Sequence, residues 1–108
     1  MIEQAAAGDP DFAGSARVLA SREPFEIDEA EPIVQAVRRH AAAVLGQAPE
    51  LVGVPFWADS ALLAEAGTPT VLFGPRGEGA HAEVEWVELA DLERCVEIYV
   101  AVASELCA

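Results

Sequence analysis

The sequence predicts an α/β fold in which part of a mostly parallel sheet is flanked by helices. From residue 28 onward, segments with helical periodicity alternate with short apolar segments in the order helix, strand, helix, strand, loop, helix. This alternation is typical of parallel sheets covered by helices. The chain has 108 residues and is 53% hydrophobic, which suffices for one modest domain with a core of its own.

Residues 1–25 differ from the rest of the chain. They predict a short helix over residues 1–7, a turn over residues 8–11 and one strand over residues 16–22. The sequence offers no evident partner for this strand, and an unpaired strand edge needs another chain or a further segment to cover it. We therefore expect residues 1–25 and residues 26–108 to belong to different structural units.

The next element is a helix that is predicted to begin at Pro32 and to end before Gly46. Residues 28–31 are rich in acid, and both negative charge and proline favour the first turn of a helix. Glycine is a common helix stop. The apolar residues that recur at helical spacing and predict the inner face are Ile33, Val37, Ala41, Val44 and Leu45.

Two short apolar runs, residues 51–56 and 70–73, predict buried strands. Between them, residues 61–66 predict a short helix that ends at Gly67. After the second strand comes a glycine-rich loop, and residues 84–89 predict an extended segment. A last helix is predicted to begin at Asp91. The residues that predict its inner face are Leu92, Val96, Tyr99, Ala103 and Leu106.

The charge balance narrows the range of partners. The formal net charge is -13, and all six basic residues are arginine. Nucleic acid and anionic membranes both require a basic surface, so we expect neither as a partner. Cys95 and Cys107 lie too far apart on one predicted helix for a disulfide between them. Such sparse cysteine usage, without a signal-peptide pattern or a membrane-spanning segment, predicts a cytoplasmic protein.

His81 is the most informative candidate for a functional site. It lies in the glycine-rich loop, among the carboxylates of Glu78, Glu83 and Glu85. Neutral imidazole is a common metal ligand whose second nitrogen a carboxylate can orient, but a single loop histidine is also often structural or merely exposed. Zinc requires three or four protein ligands, and the only other histidine, His40, is predicted on a solvated, arginine-flanked helix face.

Other site classes receive less support. Gly77 and Gly79 could suggest a phosphate-binding loop, but no Lys-Ser/Thr pair follows and the glutamates would repel phosphate. No serine lies in a nucleophile motif. Asp59 is either the N-cap of the short helix or a pocket residue at the carboxyl edge of the sheet. Trp57 could lie in the core, in an interface or in a pocket wall.

Two stretches together resemble a known family. They are residues 57–75, which contain Trp57-Ala58-Asp59 and end in Phe73-Gly74-Pro75, and residues 77–92, which contain Gly77-x-Gly79-x-His81-x-x-x-Glu85-Trp86-Val87. In order and spacing they are similar to the C-terminal part of the zinc aminoacylase and metallopeptidase family. Its members include acetylornithine deacetylase, succinyl-diaminopimelate desuccinylase and the carboxypeptidase G type. The resemblance is good over residues 50–108 and weaker over residues 1–49.

This resemblance implies roles for five residues. His81 matches the last ligand of a two-metal site that holds zinc, or alternatively cobalt or manganese, and Glu85 matches an acidic residue that fixes the loop. Gly77 and Gly79 match the loop beside the substrate. Asp59 matches an aspartate that borders the pocket, although Trp57-Ala58 replace the small or hydroxyl residues of several members. In the family, the metals polarise an amide carbonyl and activate water while a glutamate acts as general base.

The resemblance also implies that the site is incomplete in this chain. The family's other ligands and its catalytic glutamate belong to an N-terminal segment that no stretch here resembles, so we expect no tight metal binding and no activity by the chain alone. Residues 1–25 resemble the end of the family's lid, or dimerisation, domain, and residues 26–108 the C-terminal part of its catalytic domain. The implied substrates are N-acylated amino acids or small peptides, and the implied assembly is a homo-oligomer. The alternative is a self-associating α/β module without catalysis.

Overall fold

The computed structural model describes residues 2–107. Within them the chain forms six elements, which in order are α1 (Ile2–Gly8), α2 (Pro32–Leu45), α3 (Ser60–Glu65), β1 (Gly77–Glu78), β2 (Trp86–Val87) and α4 (Leu89–Leu106). The longest two helices, α2 and α4, pack against each other. Their seam contains the hydrophobic core.

The core is small and lies between α2 and α4. Ala36 and Ala41 of α2 are fully buried against Ile98 and Val102 of α4. The two alanines leave room for the larger side chains of the facing helix, as in helix pairs that pack side-chain ridges into grooves. Partly buried side chains that pack against this core are Ile33, Val44, Val71 and Phe73. The burial of apolar surface at this one seam is therefore the main source of stability.

The sequence prediction for α2 is confirmed. The helix begins at Pro32 and is followed by Gly46, which has φ 80° and donates its backbone N–H to the carbonyl oxygen of Ala42 at 2.9 Å. Only glycine adopts this left-handed conformation without a steric cost. Of the predicted inner face, Val37 and Ala41 are buried, whereas Leu45 at the end of the helix is exposed.

The predicted inner face of α4 is wrong. The buried residues are Asp91, Cys95, Ile98 and Val102. The residues predicted to be inside are exposed instead, and among them Leu92, Val96, Tyr99 and Leu106 are 40–61% exposed. The helix carries two apolar stripes, and helical spacing alone does not say which one packs. The stripe that packs begins with the charged residue Asp91, which made it look polar in the sequence. In the structure this charge is paired with Arg76 and Arg94.

The short helix of the middle segment is also close to its prediction. α3 begins at Ser60, one residue before the predicted start, and Gly67 follows it with φ 86°. Backbone bonds from Gly67 to Ala64 and from Thr68 to Leu63, both 2.9 Å, close its C-terminal end. The predicted start of α4 is two residues late, since the helix begins at Leu89.

The hairpin β1–β2 is the one backbone ladder among residues 2–107, and it is antiparallel. The three predicted strands, residues 16–22, 51–56 and 70–73, do not pair in the part of the chain that the structure describes. A parallel strand requires a neighbouring strand to receive its hydrogen bonds. The mostly parallel sheet, and the division at residue 25, therefore stay predictions.

The described part of the chain is extended and leaves many apolar side chains open. Its principal extents are 63 × 35 × 20 Å and its radius of gyration is 19.9 Å, against about 13 Å for a compact domain of this length. Val18 and Leu19 are among the most exposed side chains. None of the helices within residues 2–107 is both long and apolar enough to cross a lipid bilayer.

Candidate functional site

His81 lies at the tip of the β1–β2 hairpin. The strands pair Gly77 with Val87 and Glu78 with Trp86. At the tip, the backbone N–H of Ala82 donates to the carbonyl oxygen of Gly79 at 2.7 Å, and this closes a four-residue turn. His81 occupies the third position of the turn with φ 66° and is exposed. Positive φ is uncommon outside glycine, and residues held in this conformation are enriched at functional sites.

The two glycines of the hairpin are required by close backbone contacts. A Cβ on Gly77 would lie 2.2 Å from the carbonyl oxygen of Trp86, and a Cβ on Gly79 would lie 2.0 Å from that of Val84. Gly79 also has φ 79°. The tight hairpin that presents His81 therefore depends on the absence of side chains at both positions. Whether these glycines border a substrate stays a prediction.

The residues of the described chain do not fit a complete metal site. No cluster of three or more His, Cys, Asp or Glu side chains that could hold a metal ion occurs within residues 2–107. Over the same residues, neither His81 nor Glu85 forms a side-chain hydrogen bond, and both are exposed. Zinc needs three or four protein ligands. The role of His81 as a metal ligand stays a prediction.

Asp59 and Trp57 lie apart from the hairpin. Asp59 is exposed and occupies the predicted N-cap position of α3, where its backbone carbonyl accepts the N–H of Leu62 at 3.0 Å, but its side chain forms no capping hydrogen bond. Trp57 is 45% exposed, stacks under the guanidinium of Arg22 at 5.9 Å, and lines a groove of about 870 Å³. Within residues 2–107 no hydrogen bond or ion pair joins Asp59 to the hairpin, and its role at a pocket stays a prediction.

An ion-pair cluster that the sequence did not predict lies at the base of the hairpin. Asp91, on the inner face of α4, accepts a hydrogen bond from Nε of Arg76 at 2.6 Å and one from Nη1 of Arg94 at 2.8 Å. These bonds, that of Arg76 above all, lower the pKa of Asp91 to about 2 although burial opposes the shift. Asp91 continues the spacing of Cys95, Ile98 and Val102, and this register was the available signal.

A cavity of about 380 Å³ lies beside this cluster. Arg76 and Asp91 line it together with Phe73, Cys95 and Ile98. The segment that leads into the hairpin is therefore not closely packed on α4 along its whole length. Val71 and Phe73 make its apolar contacts with the core, and the Arg76 side chain and the Phe73 carbonyl make its polar contacts with α4.

The second histidine and the cysteines have structural surroundings. His40 Nε2 lies 2.8 Å from Oε2 of Glu105, which also binds Arg39, so these side chains link α2 to α4. Both arginine and histidine bonds lower the pKa of Glu105. Cys95 and Cys107 are free, and burial raises the pKa of the Cys95 thiol. No nucleophilic side chain forms a hydrogen bond with His40 among the described residues.

Comparison with known proteins gives a match over most of the chain, including the hairpin. Residues 14–105 match the sequence profile of Peptidase family M20/M25/M40. One curated relative is N-formyl-4-amino-5-aminomethyl-2-methylpyrimidine deformylase of Halalkalibacterium halodurans, which is 33% identical over 84 residues. That match covers 77% of this chain and 20% of the relative, so the chain spans about one fifth of the length of the curated relative that it matches. No solved structure matches the chain.

Proposed function

The chain belongs to peptidase family M20/M25/M40, and from this membership we propose that it forms the C-terminal part of a zinc-dependent amidohydrolase. In this proposal His81 is one metal ligand and Glu85 supports the loop that carries it. Gly77, Gly79 and Asp59 border the substrate pocket. The metal is zinc, with cobalt or manganese as the alternatives that the family resemblance implies.

The conformation of His81 is the observation that carries the proposal. A histidine with φ 66° stands at the tip of a hairpin whose Gly77 and Gly79 admit no side chain. A strained turn of this kind costs free energy and persists where the surrounding structure holds it. The hairpin lies within the residues that match the family, 14–105. A metal ligand needs a fixed direction, and this turn provides one.

The catalytic set is proposed to be completed by residues outside this chain. His81 alone gives one of the three or four protein ligands that zinc requires, and the described residues gather no further ligands around it. We therefore propose that the 108-residue chain by itself is inactive.

The proposed substrates are amides of small amines or amino acids. The curated relative is named as a deformylase of an N-formyl aminomethylpyrimidine, and the resemblance in the sequence is to deacylases and peptidases that act on N-acylated amino acids or small peptides. Both groups share one reacting bond, an N-acyl amide.

A chimera tests the role of His81. The 84-residue segment of the deformylase that aligns with this chain is replaced by its counterpart from this chain. We expect the chimera to bind zinc and retain deformylase activity, and we expect His81→Ala to reduce metal content and to lower kcat/KM by at least about tenfold. The control is His40→Ala, which removes the other histidine. A folded chimera whose His81→Ala variant keeps its full metal content and activity would show that His81 is not a ligand.

The second candidate is a self-associating module without catalysis, and the open apolar surface favours it. The groove beside Trp57 is lined by Val52, Val54 and Phe56, of which all three are exposed. Exposed apolar surface of this extent is typical of interfaces, so we propose a homo-oligomer in either case. Sedimentation velocity over a range of concentrations tests this, and a monomer at every concentration would contradict it. An active chimera would exclude the purely non-catalytic alternative.

The proposed compartment is the cytoplasm. Two free thiols, one of them exposed at Cys107, support a reducing environment. Recovery of the thiols as disulfides from cells would contradict this proposal.

A further inference from the structure

The carboxylate of Asp91 is the contact point between α4 and the hairpin. Asp91 is 6% exposed, and both of its oxygens accept hydrogen bonds from arginine. A buried carboxylate is tolerated only when it is paired and hydrogen-bonded. The ion pair with Arg76 therefore joins that residue to α4, whose opposite end packs in the core, and Arg94 of the same helix makes the second pair.

Arg76 connects this carboxylate to the hairpin through two different groups. Its side chain binds Asp91, and its backbone carbonyl accepts the N–H of Glu88 at 2.9 Å, directly beyond the paired residues Gly77 and Val87. One residue thus closes the base of the hairpin and ties that base to α4. The ion pair between Arg76 and Asp91 lies at the edge of the cavity of about 380 Å³, where apolar packing is incomplete.

A second bond holds the segment just before Arg76. The hydroxyl of Tyr99 donates to the carbonyl oxygen of Phe73 at 2.6 Å, and the two rings meet edge to face with centroids 6.1 Å apart. Tyr99 and Asp91 lie eight residues apart on α4, about 12 Å along its axis. The helix therefore holds the entering segment at two separate points, which fixes its direction as well as its position.

We propose that Asp91, acting through Arg76, is a positioning residue for His81. It sets the orientation of the hairpin relative to α4 and so the direction in which the turn presents the imidazole. The inference rests on the proposed function only in one respect, namely that His81 is a metal ligand. The side-chain hydrogen bonds of Asp91 are with Arg76 and Arg94, at the base of the hairpin and not at its turn.

A purely local role makes a different prediction. Asp91 lies in the first turn of α4, where a negative charge stabilises a helix by itself. In that case Arg76→Gln would leave both the helix and the hairpin unchanged. The side chain of Arg76 is 78% exposed, so its replacement leaves no buried gap, and Arg94 still pairs with the carboxylate of Asp91.

The test is NMR of the 108-residue chain without metal, in the variants Arg76→Gln, Arg76→Lys and Asp91→Asn. The control is Arg39→Gln, which makes the same change in an ion pair between α2 and α4. Residual dipolar couplings report the orientation of the hairpin, and scalar couplings report φ of His81. Amide exchange of Glu88 reports the closure of the base.

We expect Arg76→Gln and Asp91→Asn to change the hairpin orientation and to speed exchange of the Glu88 amide by at least about tenfold, while the Val102 amide of the core keeps its protection. Arg76→Lys keeps a positive charge beside Asp91 and should therefore change the hairpin less than Arg76→Gln does. Arg39→Gln should leave the hairpin and the Glu88 amide unchanged. If Asp91→Asn fails to fold, Arg76→Gln decides. An unchanged hairpin in Arg76→Gln overturns the inference. Because no metal is used, this result is independent of whether His81 binds zinc.

Discussion

Replacement of Gly79 by alanine should open the hairpin without unfolding the chain. The new Cβ would lie 2.0 Å from the carbonyl oxygen of Val84, whereas an ordinary carbon–oxygen contact is about 3.3 Å. Relief of this contact requires a shift of more than about 1 Å between strands that are about 4.8 Å apart. The two residue pairs of the ladder cannot both survive such a shift.

The magnitude follows from two separate costs. A non-glycine residue at φ 79° costs about 1–2 kcal/mol, and overpacking against backbone costs about 1–3 kcal/mol. A backbone hydrogen bond contributes about 1 kcal/mol net. The cost in the closed hairpin therefore exceeds what its few bonds can offset, and local opening is the cheaper outcome because the α2–α4 core is not disturbed.

Four glycines of this chain separate the two costs. In Gly74→Ala the new Cβ meets no atom within 4 Å and φ is not positive. Gly67→Ala has the unfavourable φ of 86° but open space around the new Cβ. Gly77→Ala has a close contact of 2.2 Å without a positive φ, and Gly79→Ala has both a close contact and a positive φ. Only the variants at Gly77 and Gly79 are expected to affect the hairpin.

Hydrogen exchange measured by NMR checks this. In Gly79→Ala the amides of Ala82 and Glu88, which bond to Gly79 and Arg76, should lose at least about tenfold in protection, since 1.4 kcal/mol corresponds to a factor of ten. Core amides of α4 should keep theirs. The reasoning is refuted if Gly74→Ala has an equal effect, or if Gly79→Ala leaves the Glu88 amide as protected as in the wild type.

Three further outcomes are expected. Val102 is 8% exposed, and Val102→Ala should lower the free energy of unfolding in urea by about 2 kcal/mol because two buried methyl groups are lost. The control is Val100→Ala on the same helix, where the side chain is 61% exposed and the change should be less than about 0.5 kcal/mol. The pKa of Asp91 falls from 3.8 to about 2 on folding, so its stabilising contribution is complete above pH 3.8 and is lost as the pH falls through 2. The free energy of unfolding in urea, measured from pH 5 to pH 2, should therefore be less acid-sensitive in Asp91→Asn than in the wild type. An unchanged acid sensitivity would argue against the ion pair between Asp91 and Arg76. Calorimetric titration of the isolated chain with zinc should show weak or non-stoichiometric binding, and tight one-to-one binding that disappears in His81→Ala would contradict the proposal that the site is incomplete.

The sequence was most informative where the chain is punctuated by special residues. Pro32 and Gly46 mark the ends of α2, and Gly67 marks the end of α3, because each imposes a backbone conformation locally. The glycines around His81 indicated a loop for the same reason, although not that this loop is a β-hairpin. These are local effects, and local sequence suffices to predict them.

Features that depend on distant partners could not be predicted in the same way. The inner face of α4 was wrong because two apolar stripes have the same period, and the choice between them depends on α2 and on the pairing of Asp91 with Arg76, fifteen residues away. The strands expected at residues 51–56 and 70–73 need neighbours that residues 2–107 do not supply. The positive φ of His81 depends on the closure of the turn between Gly79 and Ala82.

The thiols of Cys95 and Cys107 differ in reactivity, which makes local opening of the protein observable by simple chemistry. Cys95 is buried on α4 beside the cavity of about 380 Å³ and has a raised pKa, whereas Cys107 is exposed just after the same helix. Only the thiolate reacts with alkylating reagents, so Cys107 should be modified at once and Cys95 only when the structure around it opens. The rate of the second alkylation step would therefore measure how often this part of the protein opens, in a mixture or in a cell extract where spectroscopy is not practical.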